Sequence, residues 1–104
     1  MIAIHIITSS EHQALEIARW LLDKKLAHTS VDIDKQETLE LVDEKLIRNI
    51  SFKLQARTKA LLYMTIEDGL KAEFASHPPY LYSTPIVNMD KELSRRIIEE
   101  TQRV

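Results

Sequence analysis

Residues 9–33 read SSEHQALEIARWLLDKKLAHTSVDI, and how this stretch divides decides the fold. Ser9 and Ser10 supply an N-cap, and Gln13 stands three residues after Ser10 as in a capping box. Ala14, Ile17, Ala18, Leu21 and Leu22 recur at helical spacing, which predicts one core-facing stripe on a helix running to about Lys25. Lys24 and Lys25 suit the negative end of that helix's macrodipole. From Thr29 to Asp34 the period falls to two, with Val31 and Ile33 inward and Ser30, Asp32 and Asp34 outward, as in a half-buried strand. At the handover, His28, Thr29 and Ser30 place three hydrogen-bonding side chains together. A polar turn or subunit contact is the preferred reading of them. The alternative is a ligand site with His28 as a metal ligand. Trp20 lies off the apolar stripe, draped over a neighbouring loop or, alternatively, set in a subunit contact.

Upstream, Ile2–Thr8 is apolar almost throughout, as a strand covered on both faces would be. Downstream, ETLELV and ISFKLQAR carry period-two segments, with Leu39 and Leu41 in the first and Phe52, Leu54 and Ala56 in the second. They predict a long β-hairpin arm across residues 35–58, polar on its outer face. KALLYMTI (59–66) admits two readings. A helix from Lys59 to Ala75 would hold Gly69 in its interior, at a cost of about 1 kcal/mol against alanine. The preferred reading is a central strand, followed by a shorter helix capped by Asp68 and running through Ser76. HPPY (77–80) breaks any helix, because proline disfavours that conformation in the residue before it. Pro85 points to a short or edge strand centred on Ile86–Asn88. Asp90 then caps a last helix with Leu93, Ile97 and Ile98 facing inward.

The 104 residues suffice for one domain, residues 1–104, with a real core. Two βαβ units interleaved on one antiparallel sheet make the expected class α+β, a ferredoxin-like βαβ-βαβ sandwich with a long hairpin arm. A net charge of −2 gives no electrostatic grip on nucleic acid or on an anionic membrane. The absence of cysteine excludes disulfides, thiolate metal sites and cysteine nucleophiles. One glycine cannot build a phosphate loop or a dinucleotide fingerprint. MIAIHIITSS lacks a basic n-region and no apolar run is long enough to span a bilayer, so a soluble, cytoplasmic protein is expected.

The quoted stretch resembles the opening helix and second strand of the CutA family, the divalent-ion-tolerance proteins. Ala14, Ile17, Ala18, Leu22, Leu26, Ala27, Val31 and Ile33 fit the family's "A…IA..L…LAACVNI" pattern, and Asp32 stands close to its usual asparagine. His77-Pro78 and Tyr82-Ser83-Thr84-Pro85-Ile86 supply the pieces of its "HPYE.PEI" element, with about three extra residues between them. The tryptophan and glycine usual in the family's hairpin are missing. So is a cysteine that would fall near Thr29, one of the positions linked to copper. The resemblance implies a non-enzymatic homotrimer, joined through hairpin arms and sheet edges, with a role in divalent-metal tolerance and copper as the candidate ion. It also implies kinship with the PII signalling proteins, which share fold and trimer but bind nucleotide through loops. From the residues themselves, a half-apolar hairpin on so small a domain also needs a partner surface.

The four histidines, His5, His12, His28 and His77, show no HxH or HxxxH spacing, although Asp32, Asp34, Glu11 and Glu67 could partner them. His5 is expected to be hydrogen-bonded within the first strand, and His12 solvated. His77 with Tyr80, Tyr82 and Ser83 forms a rigid, partly aromatic loop, read as a connector or, alternatively, as a ligand or interface site. Catalysis has little support: Ser9, Ser10 and Ser83 have no adjacent histidine–acid pair. Thr8-Ser9-Ser10-Glu11 lacks the arginine and glycine of an acylphosphatase cradle. RNA-binding modules of this fold stack bases on their central strands, where only His5 and Tyr63 are expected here. The alternative function is a PII-like regulator that takes a small ligand between subunits and contacts a partner protein. An enzyme with its site in the intersubunit cleft is a third option.

Overall fold

A computed structural model describes residues Met1–Val104. In chain order it has β1 (Ile2–Thr8), α1 (Glu11–Asp23), β2 (Asp32–Val42), β3 (Lys45–Thr58), α2 (Tyr63–Glu73), β4 (Tyr80–Pro85) and α3 (Lys91–Glu100). The four strands form one antiparallel sheet in the order β2-β3-β1-β4, the ferredoxin-like arrangement. No helix is long and apolar enough to cross a membrane.

Pleating fixes what each face carries, because residues paired across a ladder share a face. On one side Ile4 and Ile6 of β1 stand beside Ala56 and Leu54 of β3, all fully buried. Ala14, Ile17 and Leu21 of α1 and Ile66 and Leu70 of α2 close over them. Each such buried leucine or isoleucine contributes about 2 kcal/mol relative to exposure. The α1 stripe is narrower than its spacing suggested, because Leu22 turns out to solvent at 37% exposure. Likewise only Ile97 of α3 is fully buried, while Ile98 is 54% exposed. The Ser10 cap is present, its hydroxyl accepting from the Gln13 amide. The Gln13 side chain leaves the box and donates instead to the His77 carbonyl. The helix ends at Asp23, and Lys25 takes φ +55°, a left-handed turn beyond the C-cap.

Residues 59–66 are not a strand. A 3₁₀ turn at Ala60–Leu62 runs directly into α2, so Tyr63 and Asp68 are helical, and Asp68 caps nothing. Leu62 and Ile66 are buried while Met64 between them is exposed; a strand would set all three on one face, whereas a helix turns Met64 away. Gly69 is accommodated mid-helix because the indole of Trp20 lies where its β-carbon would be. The segments read as a short strand and a separate hairpin are one element. β2 begins at Asp32 and continues unbroken to Val42, then turns through Asp43 and Glu44 into β3. Thr29–Val31 precede it as irregular chain. The last strand is an edge strand as expected, but spans Tyr80–Pro85 rather than Ile86–Asn88. Pro85 ends the strand, opposite Ile2.

The hairpin extends beyond the helices, and the molecule measures 48 × 29 × 19 Å. Past Phe52 the face that was core becomes bare. Leu41 pairs with Leu46, Leu39 with Arg48 and Glu37 with Ile50, and the four apolar side chains are 50–74% exposed.

Candidate functional site

The sheet's other face lies away from α1 and α2. It carries Ala3, His5 and Ile7 of β1, the β3 partners Arg57, Gln55 and Lys53, and the β4 partners Thr84, Tyr82 and Tyr80. His5 is buried there. Its Nε2 bonds the Thr84 hydroxyl at 3.0 Å, and its ring stacks on Tyr82 at 4.7 Å and 14°. Lys53 Nζ stands 5.6 Å above the same tyrosine ring. Burial, aided by the Lys53 charge, pushes the His5 pKa below the usual histidine range. Its Nδ1 is buried without a partner.

At the Thr8 end of this face a half-open cleft of about 380 Å³ lies between the base of the arm and the start of β4. The connector His77-Pro78-Pro79 and Tyr80 form one wall. Two prolines stiffen it, and the Gln13 amide grips the His77 carbonyl at 2.8 Å, tying the wall to α1. The arm forms the opposite wall with Thr38 and Glu40 of β2 and Asn49 and Ser51 of β3. Thr38 and Ser51 hydroxyls are 3.3 Å apart. Ile7, Thr8 and Ser9 line the cleft where β1 passes into α1. Glu40 enters no ion pair, whereas Glu37, on the arm's opposite face, is paired to Arg48 at 3.0 Å. Neither lysine nor arginine lines the cleft. It therefore presents hydroxyls, an amide, an imidazole, one aromatic face and one free carboxylate.

Of the loop cluster His77, Tyr80, Tyr82 and Ser83, His77 and Tyr80 meet in the cleft. Tyr82 lies one step along the same face against His5, and Ser83, paired with Ile4, belongs to the helix-covered side. His28 is elsewhere, near the opposite end of β1, where its amide donates to the Arg57 carbonyl. It is buried, with Nε2 2.8 Å from Glu100 Oε2 of α3 and Nδ1 3.4 Å from the Thr29 hydroxyl. Desolvation opposes ionisation of Glu100, but hydrogen bonds from Arg96 and His28 outweigh it and hold this carboxyl below the usual range. His12 is exposed and paired with Glu16. Trp20 rests on α2 at Gly69, a helix rather than a loop. Glu40, Thr38, Asn49 and Ser51 escaped the sequence analysis. They are polar positions on an alternating strand, with no signal separating them from a solvated face.

No family model matches the sequence, and no curated protein matches it. Solved structures do. A variant of CutA1 from Pyrococcus horikoshii OT3 superposes with TM-score 0.84 at 16% identity, over 99% of this chain and 100% of that one. The divalent cation tolerance protein Cut A1 from Thermus thermophilus gives 0.81 at 22%, over 98% and 100%. The periplasmic divalent cation tolerance protein CutA from Archaeoglobus fulgidus gives 0.82 at 27%, over 98% and 100%.

Proposed function

We propose that this chain, a divergent member of the CutA family, is a non-enzymatic homotrimer acting in tolerance to divalent metal ions. The observation that carries the assembly is the arm. Leu39, Leu41, Leu46 and Ile50 continue the core face of the sheet past the last helical cover. Contiguous apolar surface of this kind marks an interaction site, and both edges of the sheet, β2 and β4, are unpaired. A closed trimer satisfies arm and edges together. Light scattering on a sizing column tests this. Three chains of 12.1 kDa give about 36 kDa, and a stable monomer overturns the proposal.

The metal role rests on the names carried by the solved relatives. Within one chain no three histidine or carboxylate side chains converge as a metal site, and there is no cysteine to add. His28 already shares its Nε2 with Glu100. A single subunit therefore does not fit copper or zinc as a resident ion, and tolerance acts through the assembly or indirectly. A second reading, a PII-like regulator responding to a small ligand, is favoured by the cleft beneath the arm. Melting curves separate the two. A rise with Cu²⁺ or Zn²⁺ alone supports the first, and a rise with organic ligands alone supports the second.

A further inference from the structure

The cleft at the arm's base has a chemistry that narrows its ligand. At about 380 Å³ it lies within the range of small-molecule sites. Its one carboxylate, Glu40, has no cationic partner in the chain, and its aromatic wall, Tyr80, is 82% exposed. With no lysine or arginine in the lining, a phosphate or nucleotide would meet an uncompensated negative charge. A divalent metal would lack a third ligand. A compact organic cation meets neither objection, because a carboxylate and a tyrosine face both attract it. The Thr38 and Ser51 hydroxyls and the Asn49 amide offer acceptors for its N–H groups.

We propose that this cleft binds a small organic ammonium ion, with Glu40 as counter-ion and Tyr80 as the aromatic wall. The inference rests on the second reading above, that the cleft is a ligand site. It fits an aliphatic amine or diamine and excludes phosphorylated ligands.

The test is an amide-resolved NMR titration of the full chain in its native assembly at pH 8. The probes are putrescine, its uncharged analogue 1,4-butanediol, and AMP. Saturable shifts with putrescine at Thr38, Glu40, Asn49 and His77, absent with butanediol, are expected. Glu40→Gln should weaken putrescine binding by about fivefold and Tyr80→Leu by about threefold. Glu37→Gln, on the opposite face of the arm, should leave it unchanged. Equal shifts with butanediol, or an unaltered Glu40→Gln titration, overturn the ammonium assignment. Shifts with AMP alone overturn it while leaving the cleft a ligand site. No response to any of the three probes overturns both.

Discussion

The indole of Trp20 lies directly on Gly69, so that a β-carbon added there would sit 2.5 Å from Cη2 and closer still to Cζ2. A glycine mid-helix costs about 1 kcal/mol against alanine, and its φ is not positive, so close approach is the reason for it. Gly69→Ala is therefore expected to destabilise by about 1 kcal/mol net, the overpacking outweighing the propensity gain. In a Trp20→Ala background the same change should stabilise by about 1 kcal/mol. Urea unfolding at fixed protein concentration reads both. Stabilisation by Gly69→Ala alone would show that the indole moves aside freely.

The same pair explains where sequence reading failed. Gly69 argued against a helix at 59–75 only because the neighbour that requires it, Trp20, lies 49 positions away. Local propensity cannot register such a contact. β1 and α1 were legible because their apolar patterns and the Ser10 cap are local. The arm was legible from its alternation, but its turn was not, since Glu44 stands where the glycine of an Asp-Gly hairpin turn would be. Of the cleft, His77 and Tyr80 stood out beside two prolines. The arm residues did not, because only the register of β2 against β3 sets Thr38 beside Asn49 and Glu40 beside Ile47.

That turn is improvable. Asp43 has φ +48° and Glu44 φ +64°, a left-handed conformation costing about 1–2 kcal/mol for a residue with a β-carbon. Asp43→Asn with Glu44→Gly is expected to stabilise by about 0.5–1 kcal/mol, seen as a higher melting temperature. A decrease would mean that Glu44 makes a compensating contact in the assembly.

His28 holds the α1–β2 corner to α3 through Glu100. Its ring is buried, so His28→Ala removes packing and a hydrogen bond together and should cost about 2–3 kcal/mol in urea unfolding. Because Nε2 is engaged by Glu100, any Cu²⁺-induced rise in melting temperature should persist in His28→Ala, measured from that variant's metal-free baseline. Loss of the rise there, with retention in His12→Ala, would make His28 a ligand.

His5 should make stability fall on mild acidification. Its folded pKa lies below the ordinary value because burial under Tyr82 and the charge of Lys53 both disfavour the imidazolium. An unfolded histidine titrates at about 6.5. The contribution is complete above that pH. As pH falls through it, the unfolded chain takes up a proton that the folded chain refuses, and stability is lost down to the folded pKa. Gln55, opposite His5, and Thr84, bonded to its Nε2, are uncharged and do not oppose the lowering by burial and by Lys53. The stability advantage of wild type over His5→Gln should therefore shrink between pH 7.5 and 5.5. Lys53→Met should raise the His5 pKa, read from its ring-proton NMR titration, and flatten that loss. An advantage that grows on acidification would mean that His5 is charged in the folded protein, with an acidic group of a neighbouring subunit as its partner.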